Sequence, residues 1–356
     1  VAQAPVRGAG GEPARGGRPE ALRYSPLARL AAPLLLVALG ACAESPSALD
    51  PRGPGAASIN RLWWVMLALG AVVFVLVAAL LLLALFRRRG DGDGPGPEAE
   101  RRLSTRLLGG GGIVLPVVVL VPLLGFTAYT SATMSPPGPP ALTVEVIAHQ
   151  FWWEVRYPQL GFTTANEIHI PAGRPVELRL STADVIHSFW APQLHGKLDM
   201  IPGQSNAITI QADAPGAYRG QCAEFCGRQH ALMAYVVVAD TPERFDAWAA
   251  RQARPATAPD SDLRRQGQQI FLGSACVYCH VIRGATPENA TDAVGPDLTH
   301  LASRQTLAAG VIANNRGNLG GWIVDPQAIK PGNHMPGTDL DAASLQALLA
   351  YLESLE

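Results

Sequence analysis

Two long apolar runs, then a region of short alternating runs, then a region of helical spacing divide the sequence into three kinds of chain. Leu62–Phe86 is 25 residues without a charge and Leu107–Thr130 is 24 more. Each is long enough to cross about 30 Å of hydrocarbon as a helix. The sequence therefore predicts transmembrane helices over 62–86 and 107–130. The second carries Gly109 to Gly112, Pro116 and Pro122, which a membrane helix tolerates where neighbouring helices satisfy the exposed carbonyls. This predicts packing against another subunit. Beyond it, apolar and polar residues alternate at Thr143–Ile147, Glu167–Ile170, Val176–Leu180, Ala207–Ile210 and Tyr235–Val238, separated by Pro171-Ala172-Gly173 and Pro202-Gly203. Short strands at this spacing predict an all-β domain over 141–240, an antiparallel sandwich or barrel. Thr241–Asp260, rich in Ala, Pro and Arg, reads as a linker with a short helix near Phe245–Gln252. Leu263, Gly267, Ile270 and Phe271 then fit a first helix, and Ala342, Leu345, Leu348, Leu349 and Leu352 a closing one, giving an all-α domain over 261–356.

Charge sets the orientation. Arg87, Arg88, Arg89, Arg101, Arg102 and Arg106 lie between the two spans, and no Lys or Arg follows the second until Arg156. The loop is thus expected in the cytoplasm and both flanking regions outside, with Trp63 and Trp64 as an interfacial belt. Lys+Arg 28 against Asp+Glu 29 leaves a net charge of -1, without the basic excess that nucleic-acid binding uses. Nucleic acid is excluded as the expected partner; the lipid bilayer is included. Near the N-terminus, arginines precede the apolar run Leu30–Gly40, too short to span a bilayer. Residues 1–41 read as a signal peptide. Leu39-Gly40-Ala41-Cys42 resembles a bacterial lipobox, with Cys42 as the acylated residue, the alternative being ordinary cleavage after Ala41 or Ala43.

Five cysteines cannot all pair. Cys222, Cys226, His230 and Met233 fall within twelve residues, a soft donor set suited to copper. Two thiols suggest two bridged copper ions, and His187 is the candidate second imidazole. A Cys222–Cys226 disulfide and a tetrahedral zinc site are the alternatives. Cys276-Val277-Tyr278-Cys279-His280 is the c-type haem attachment pattern, with a redox dithiol as its alternative. Met335 is the candidate distal ligand and His334 its rival. His149, His169, His195 and His300 read as hydrogen-bonded or surface histidines.

The paired spans, Ala148-His149-Gln150, Asp184-Val185-Ile186-His187-Ser188-Phe189-Trp190, Lys197 to Gly203 and Cys222-x-Glu224-x-Cys226-x-x-x-His230-x-x-Met233 resemble subunit II of cytochrome c oxidase over roughly residues 60 to 240. Met335 and Gly295-Pro296-Asp297-Leu298 resemble class I cytochromes c. The resemblance implies a cupredoxin domain holding the binuclear copper centre CuA. Cys222 and Cys226 would bridge the coppers and His187 and His230 would each ligate one. Met233 and the Glu224 carbonyl would be weak axial ligands, and the Glu224 side chain would reach a magnesium ion shared with subunit I. It further implies haem c on Cys276, Cys279, His280 and Met335. The implied place is the outer face of a bacterial inner membrane, in complex with subunit I and subunit III. Electrons would come from a bc-type complex or a soluble cytochrome c and pass to subunit I, where dioxygen is reduced with proton translocation. The copper subunit of a nitric oxide reductase is the alternative. Two positions depart from the family. Gln150-Phe151-Trp152-Trp153 stands where Gln-Trp-x-Trp is common, and no acid lies in Leu107–Leu115 where many members carry a Glu.

Overall fold

The computed structural model describes residues 46–86, 96–135, 138–287 and 294–356. The expected signal peptide, Cys42 and Arg87 to Arg89 lie outside them. Helix α1 (Pro54–Phe86) and helix α2 (Pro97–Ala132) are the two apolar helices, and none of the most apolar stretch of either is buried within the chain. Phe74, Leu85 and Phe86 are exposed, as side chains facing lipid are. Both helices begin earlier than the apolar runs. The first turns of α1 dock on the external domain, with the Ala56 amide donating to the Leu194 carbonyl at 3.0 Å. A Cβ on Gly55 would lie 2.3 Å from the His195 ring, so only glycine admits this approach. Within α2, Leu107–Val114 is wound as a π-helix. Its four successive glycines lower the cost of leaving the α register.

Ten strands follow: β1 (Leu142–His149), β2 (Trp152–Tyr157), β3 (Phe162–Ala165), β4 (Glu167–Pro171), β5 (Val176–Thr182), β6 (His187–Trp190), β7 (Leu198–Met200), β8 (Asn206–Ile210), β9 (Gly216–Cys222) and β10 (Ala234–Asp240). They form two five-stranded sheets, ordered β3-β2-β1-β5-β8 and β4-β10-β9-β6-β7. The sheets are mixed rather than purely antiparallel: β1 pairs with β5, and β4 with β10, in parallel. Each parallel pair is joined by chain that passes through the other sheet, which is how a two-sheet sandwich accommodates it. Val144, Trp153, Ile168, Leu178 and Tyr235 are wholly buried between the sheets.

Helix α3 (Pro242–Gln252) packs Phe245, Trp248 and Ala249 into this same core. The stretch expected to link the domains therefore belongs in its first half to the β domain. The Thr241 hydroxyl caps the helix by accepting from the Arg244 amide. The second external domain has helices α4 (Asp262–Gly273), α5 (Arg316–Val324), α6 (Pro326–Ile329) and α7 (Ala342–Leu352), and a small hairpin, β11 (Thr306–Leu307) with β12 (Ile312–Ala313). Phe271, Leu348, Leu349 and Leu352 centre its core. A Cβ on Gly267 would stand 2.0 Å from the Ala347 carbonyl oxygen, so glycine sets the α4–α7 separation. The Asp341 carboxylate caps α7 by accepting from the amides of Ala343 and Ser344.

Candidate copper and haem sites

The first site lies at one end of the β domain. His187 opens β6, Cys222 closes β9, and the loop 223–233 carries the other donors back to β10. The sulfurs of Cys222 and Cys226 are 3.9 Å apart. The Nδ1 of His187 is 3.7 Å from the Cys222 sulfur and that of His230 is 3.8 Å from the Cys226 sulfur. Met233, with no exposed surface, places its sulfur 3.9 Å from Cys226, and the Glu224 carbonyl lies 3.1 Å from the Cys222 sulfur. Two ligands of one tetrahedral ion, each about 2.0 to 2.3 Å from it, stand roughly 3.5 Å apart, so these are separations of donors that share ions. His187, Cys222 and Cys226 place ligand atoms within 4.8 Å of one another, and His230 lies outside that cluster. Each histidine thus stands against a different sulfur. A soft set of two thiols, two imidazoles and a thioether in this arrangement fits copper.

The surrounding side chains aim the ligands. Asp184 accepts at 2.9 Å from the Nε2 of His187, which directs Nδ1 at the sulfurs. Asp184 also accepts from the amides of Gln150 at 2.6 Å and Val185 at 2.7 Å. Burial alone would raise this carboxyl, but His187 and the two amides outweigh it and hold it down to about 2. Burial likewise opposes charge on His187, and Asp184 and Cys222 overcome it and raise its affinity for a proton. The Cys226 thiol, pointing at the Cys222 sulfur, holds Cys222 well below an ordinary thiol; that partner and burial hold Cys226 above one. The Gln150 side chain donates to the Cys226 carbonyl at 2.5 Å. Trp153 closes the site from beneath, its ring 6.3 Å from that of His187.

In the helical domain, Cys276 lies within a tight turn, Ala275–Tyr278, after α4 and Cys279 caps its end, and both are partly exposed. His280 is partly buried, and its Nδ1 lies 2.8 Å from the Pro296 carbonyl oxygen. That bond leaves Nε2 as the nitrogen presented for ligation. Burial pulls the ring toward its neutral, ligating form. Met335 is held by its own backbone: its amide donates to Asn333 at 2.7 Å and its carbonyl accepts from Gln327 at 3.0 Å. His334 is exposed, and its ring faces Phe151 of the β domain at 6.1 Å. Two adjacent thiols with a carbonyl-anchored imidazole fit covalently held haem.

A family profile described as cytochrome c oxidase subunit II, periplasmic domain, matches residues 160–240, and one for cytochrome c matches residues 265–356. The cytochrome c oxidase subunit 2 of Alkalihalophilus pseudofirmus is 35% identical over 321 residues, covering 88% of this chain and 92% of that protein. The chain belongs to the cytochrome c oxidase subunit 2 family. The Bacillus subtilis member is 33% identical over 68% of this chain and 72% of its own length. Among solved structures, the periplasmic domain of subunit II of cytochrome oxidase of Bradyrhizobium japonicum is 28% identical, with a TM-score of 0.32, over 32% of this chain and 95% of its own.

This oxidase subunit is thus a membrane component of a haem-copper oxidase, carrying a cytochrome c domain and working with other subunits such as subunit I. Its domains imply copper and haem c. Four histidines stand apart from the two sites. His149 pairs with Glu154 at 2.9 Å, His169 with Asp240 at 2.9 Å, His300 contacts the Glu356 and Arg254 carbonyls, and His195 packs on Gly55. Asp184 stands in the sequence only as part of a motif, without a role, and Lys330 is not singled out there. Asp184 had a signal, its spacing three residues before His187; a lone lysine between Ile329 and Pro331 had none.

Proposed function

We infer that the chain relays electrons from a donor through its own haem c to a binuclear CuA centre and on to subunit I, where dioxygen is reduced to water with proton translocation by the complex. Haem c and CuA, when bound, supply one-electron chemistry without bond rearrangement. Cys276 and Cys279 would hold the haem covalently, His280 and Met335 axially. Cys222 and Cys226 would bridge two copper ions, His187 and His230 would each bind one, and Met233 and the Glu224 carbonyl would be weak axial ligands. Pro296 and Asp184 then orient the imidazoles of His280 and His187, and Trp153 and Met233 keep water from the sulfurs. The half-buried Glu224 side chain sits on the same loop, where it would share a magnesium ion with subunit I. Subunit III and a bc-type complex or soluble cytochrome c complete the expected partners, and the outer face of a bacterial inner membrane the expected location.

The observation that carries this reading is the pairing of each histidine with a different sulfur at 3.7 to 3.8 Å, across sulfurs 3.9 Å apart. Metal analysis and paramagnetic resonance of the purified full-length subunit test it. Two coppers per haem c, with the unpaired electron delocalised over both copper nuclei, are expected. One copper, or zinc in its place, would overturn the binuclear centre.

A further inference from the structure

The two external domains are held together by more than their tether, and one side chain sits at the centre of that contact. Lys330, between α6 and Met335, is 2% exposed. Its ammonium donates to the Phe151 carbonyl of the β domain at 2.8 Å and to the Ala308 carbonyl of its own domain at 3.0 Å. Phe151 itself is buried, and its neighbour Gln150 holds the Cys226 carbonyl. From Lys330 the chain runs along the β domain: Gln229 donates to the Pro331 carbonyl, and Gly332 lies against Arg228 so closely that a Cβ there would be 2.9 Å from its side chain. On the other side, Ala308, Ala309 and Gly310 all have positive φ, at 55°, 60° and 77°. Left-handed backbone at two successive alanines is unfavourable and persists only where the surroundings hold it. Here the Ala308 carbonyl takes Lys330, and the Ala309 carbonyl takes the amide of Ala234, the residue after Met233, at 3.0 Å.

We propose that Lys330 is a positioning residue for electron transfer between the two domains: it pins the Phe151 carbonyl to the strained Ala308 turn and so fixes the segment leading to Met335 against the loop of the copper donors. Rested on the haem-and-CuA reading above, this makes the transfer a fixed-distance event rather than an encounter on a flexible tether. One electron leaves ferrous haem, which becomes ferric, and reduces the copper pair by one, with no bond made or broken. Burial pulls the Lys330 ammonium down to about 7. Desolvation makes a buried cation a poor source of net stability.

The test is Lys330→Met in the full-length subunit within its complex, a change that keeps the apolar stem and removes the donor. Hydrogen exchange should show the amides of Ala234 and Gln305, which both donate across the contact, losing at least tenfold of their protection. Val146 and Leu349, in the two cores, should be unchanged. Flash-initiated transfer from haem to copper should slow at least tenfold while haem and copper contents and spectra hold. Gly310→Val, whose side chain would collide with Ala234, should open the same amides without touching Lys330; it decides the matter if Lys330→Met fails to assemble. Unchanged protection at Ala234 and Gln305, or transfer within twofold of the parent, in the variant that assembles would overturn the role. Lack of haem or of paired copper in the parent subunit would instead overturn the reading beneath it.

Discussion

The β domain and the helical domain hold their candidate ligands in opposite ways. In the β domain the donors come from β6, β9 and one loop, and the two sheets bring them together over a core that includes Cys222, Cys226 and Met233 themselves. The protein supplies the whole enclosure. In the helical domain three of four donors share one short run after α4, only Cys276 and its neighbour Val277 lean on a smaller core, and Tyr278 beside them is 80% exposed. A small ion can be enclosed by side chains alone, whereas a porphyrin is itself a large apolar surface that the surrounding core is shaped to meet. The copper site should thus be an addition to a finished fold, and the haem site a part of its fold.

Cysteine replacement draws the sharpest contrast. Cys222→Ser should abolish the delocalised copper signal while the β domain still unfolds cooperatively on heating. Cys276→Ser with Cys279→Ser should remove covalent haem and leave residues 261–356 open to limited proteolysis, with the copper signal kept. A haem-free helical domain as resistant as the parent would break the comparison.

Glycine substitutions measure the two cores directly. Gly267→Ala presses on a backbone carbonyl at 2.0 Å, which can move only with all of α7; Gly220→Ala presses on the Tyr235 ring at 2.2 Å, a side chain wedged between Trp153 and Phe189. Overpacking typically costs about 1 to 3 kcal/mol, and the rigid neighbour places Gly267→Ala at or above the upper end. Differential scanning calorimetry should show a drop of roughly 10 °C or more in the helical domain's Tm and a smaller one in the β domain's. Equal losses would mean that α7 yields as easily as a tyrosine ring.

The same two regions differed in how much the sequence disclosed. Five of the ten strands were visible as alternation. Strand β9 was not, because its inward positions are Tyr218, Gly220 and Cys222, and the Tyr235 ring fills the space a larger residue would occupy at Gly220. Strands β2 and β6 were hidden because aromatic and candidate ligand residues interrupt their alternation. The parallel pairings depend on contacts between distant segments that no local pattern encodes. Donor types were legible because thiols and imidazoles at such spacing have few other uses. Asp184, Gln150 and Lys330 act through carbonyls and amides brought near by the fold, and their residue types alone announce nothing.

The smallest expected effect lies between β4 and α3, where His169 stacks on Trp248 with ring centres 4.0 Å apart. Its Nδ1 is 2.9 Å from Asp240 and its Nε2 3.8 Å from Glu167, while Arg244 and Arg251 of α3 line the same cavity. Burial opposes charge on this ring, but Asp240 and Glu167 prevail and raise its pKa above the usual value, and His169 in turn lowers that of Asp240. A raised native value means that the folded domain holds the proton more tightly than the unfolded chain. The resulting stability is complete below about pH 6.5 and is lost as the pH climbs through the native value. The Asp240 contribution is present above about pH 4 and is lost on acidification. Denaturant titration of the β-domain transition should therefore show less stability at pH 8.5 than at pH 6. His169→Gln should flatten that slope in the β domain and leave the helical domain's transition unchanged. A variant that kept the parent's slope would place the titration on another group and separate the His169–Trp248 stack from the stability of the copper domain.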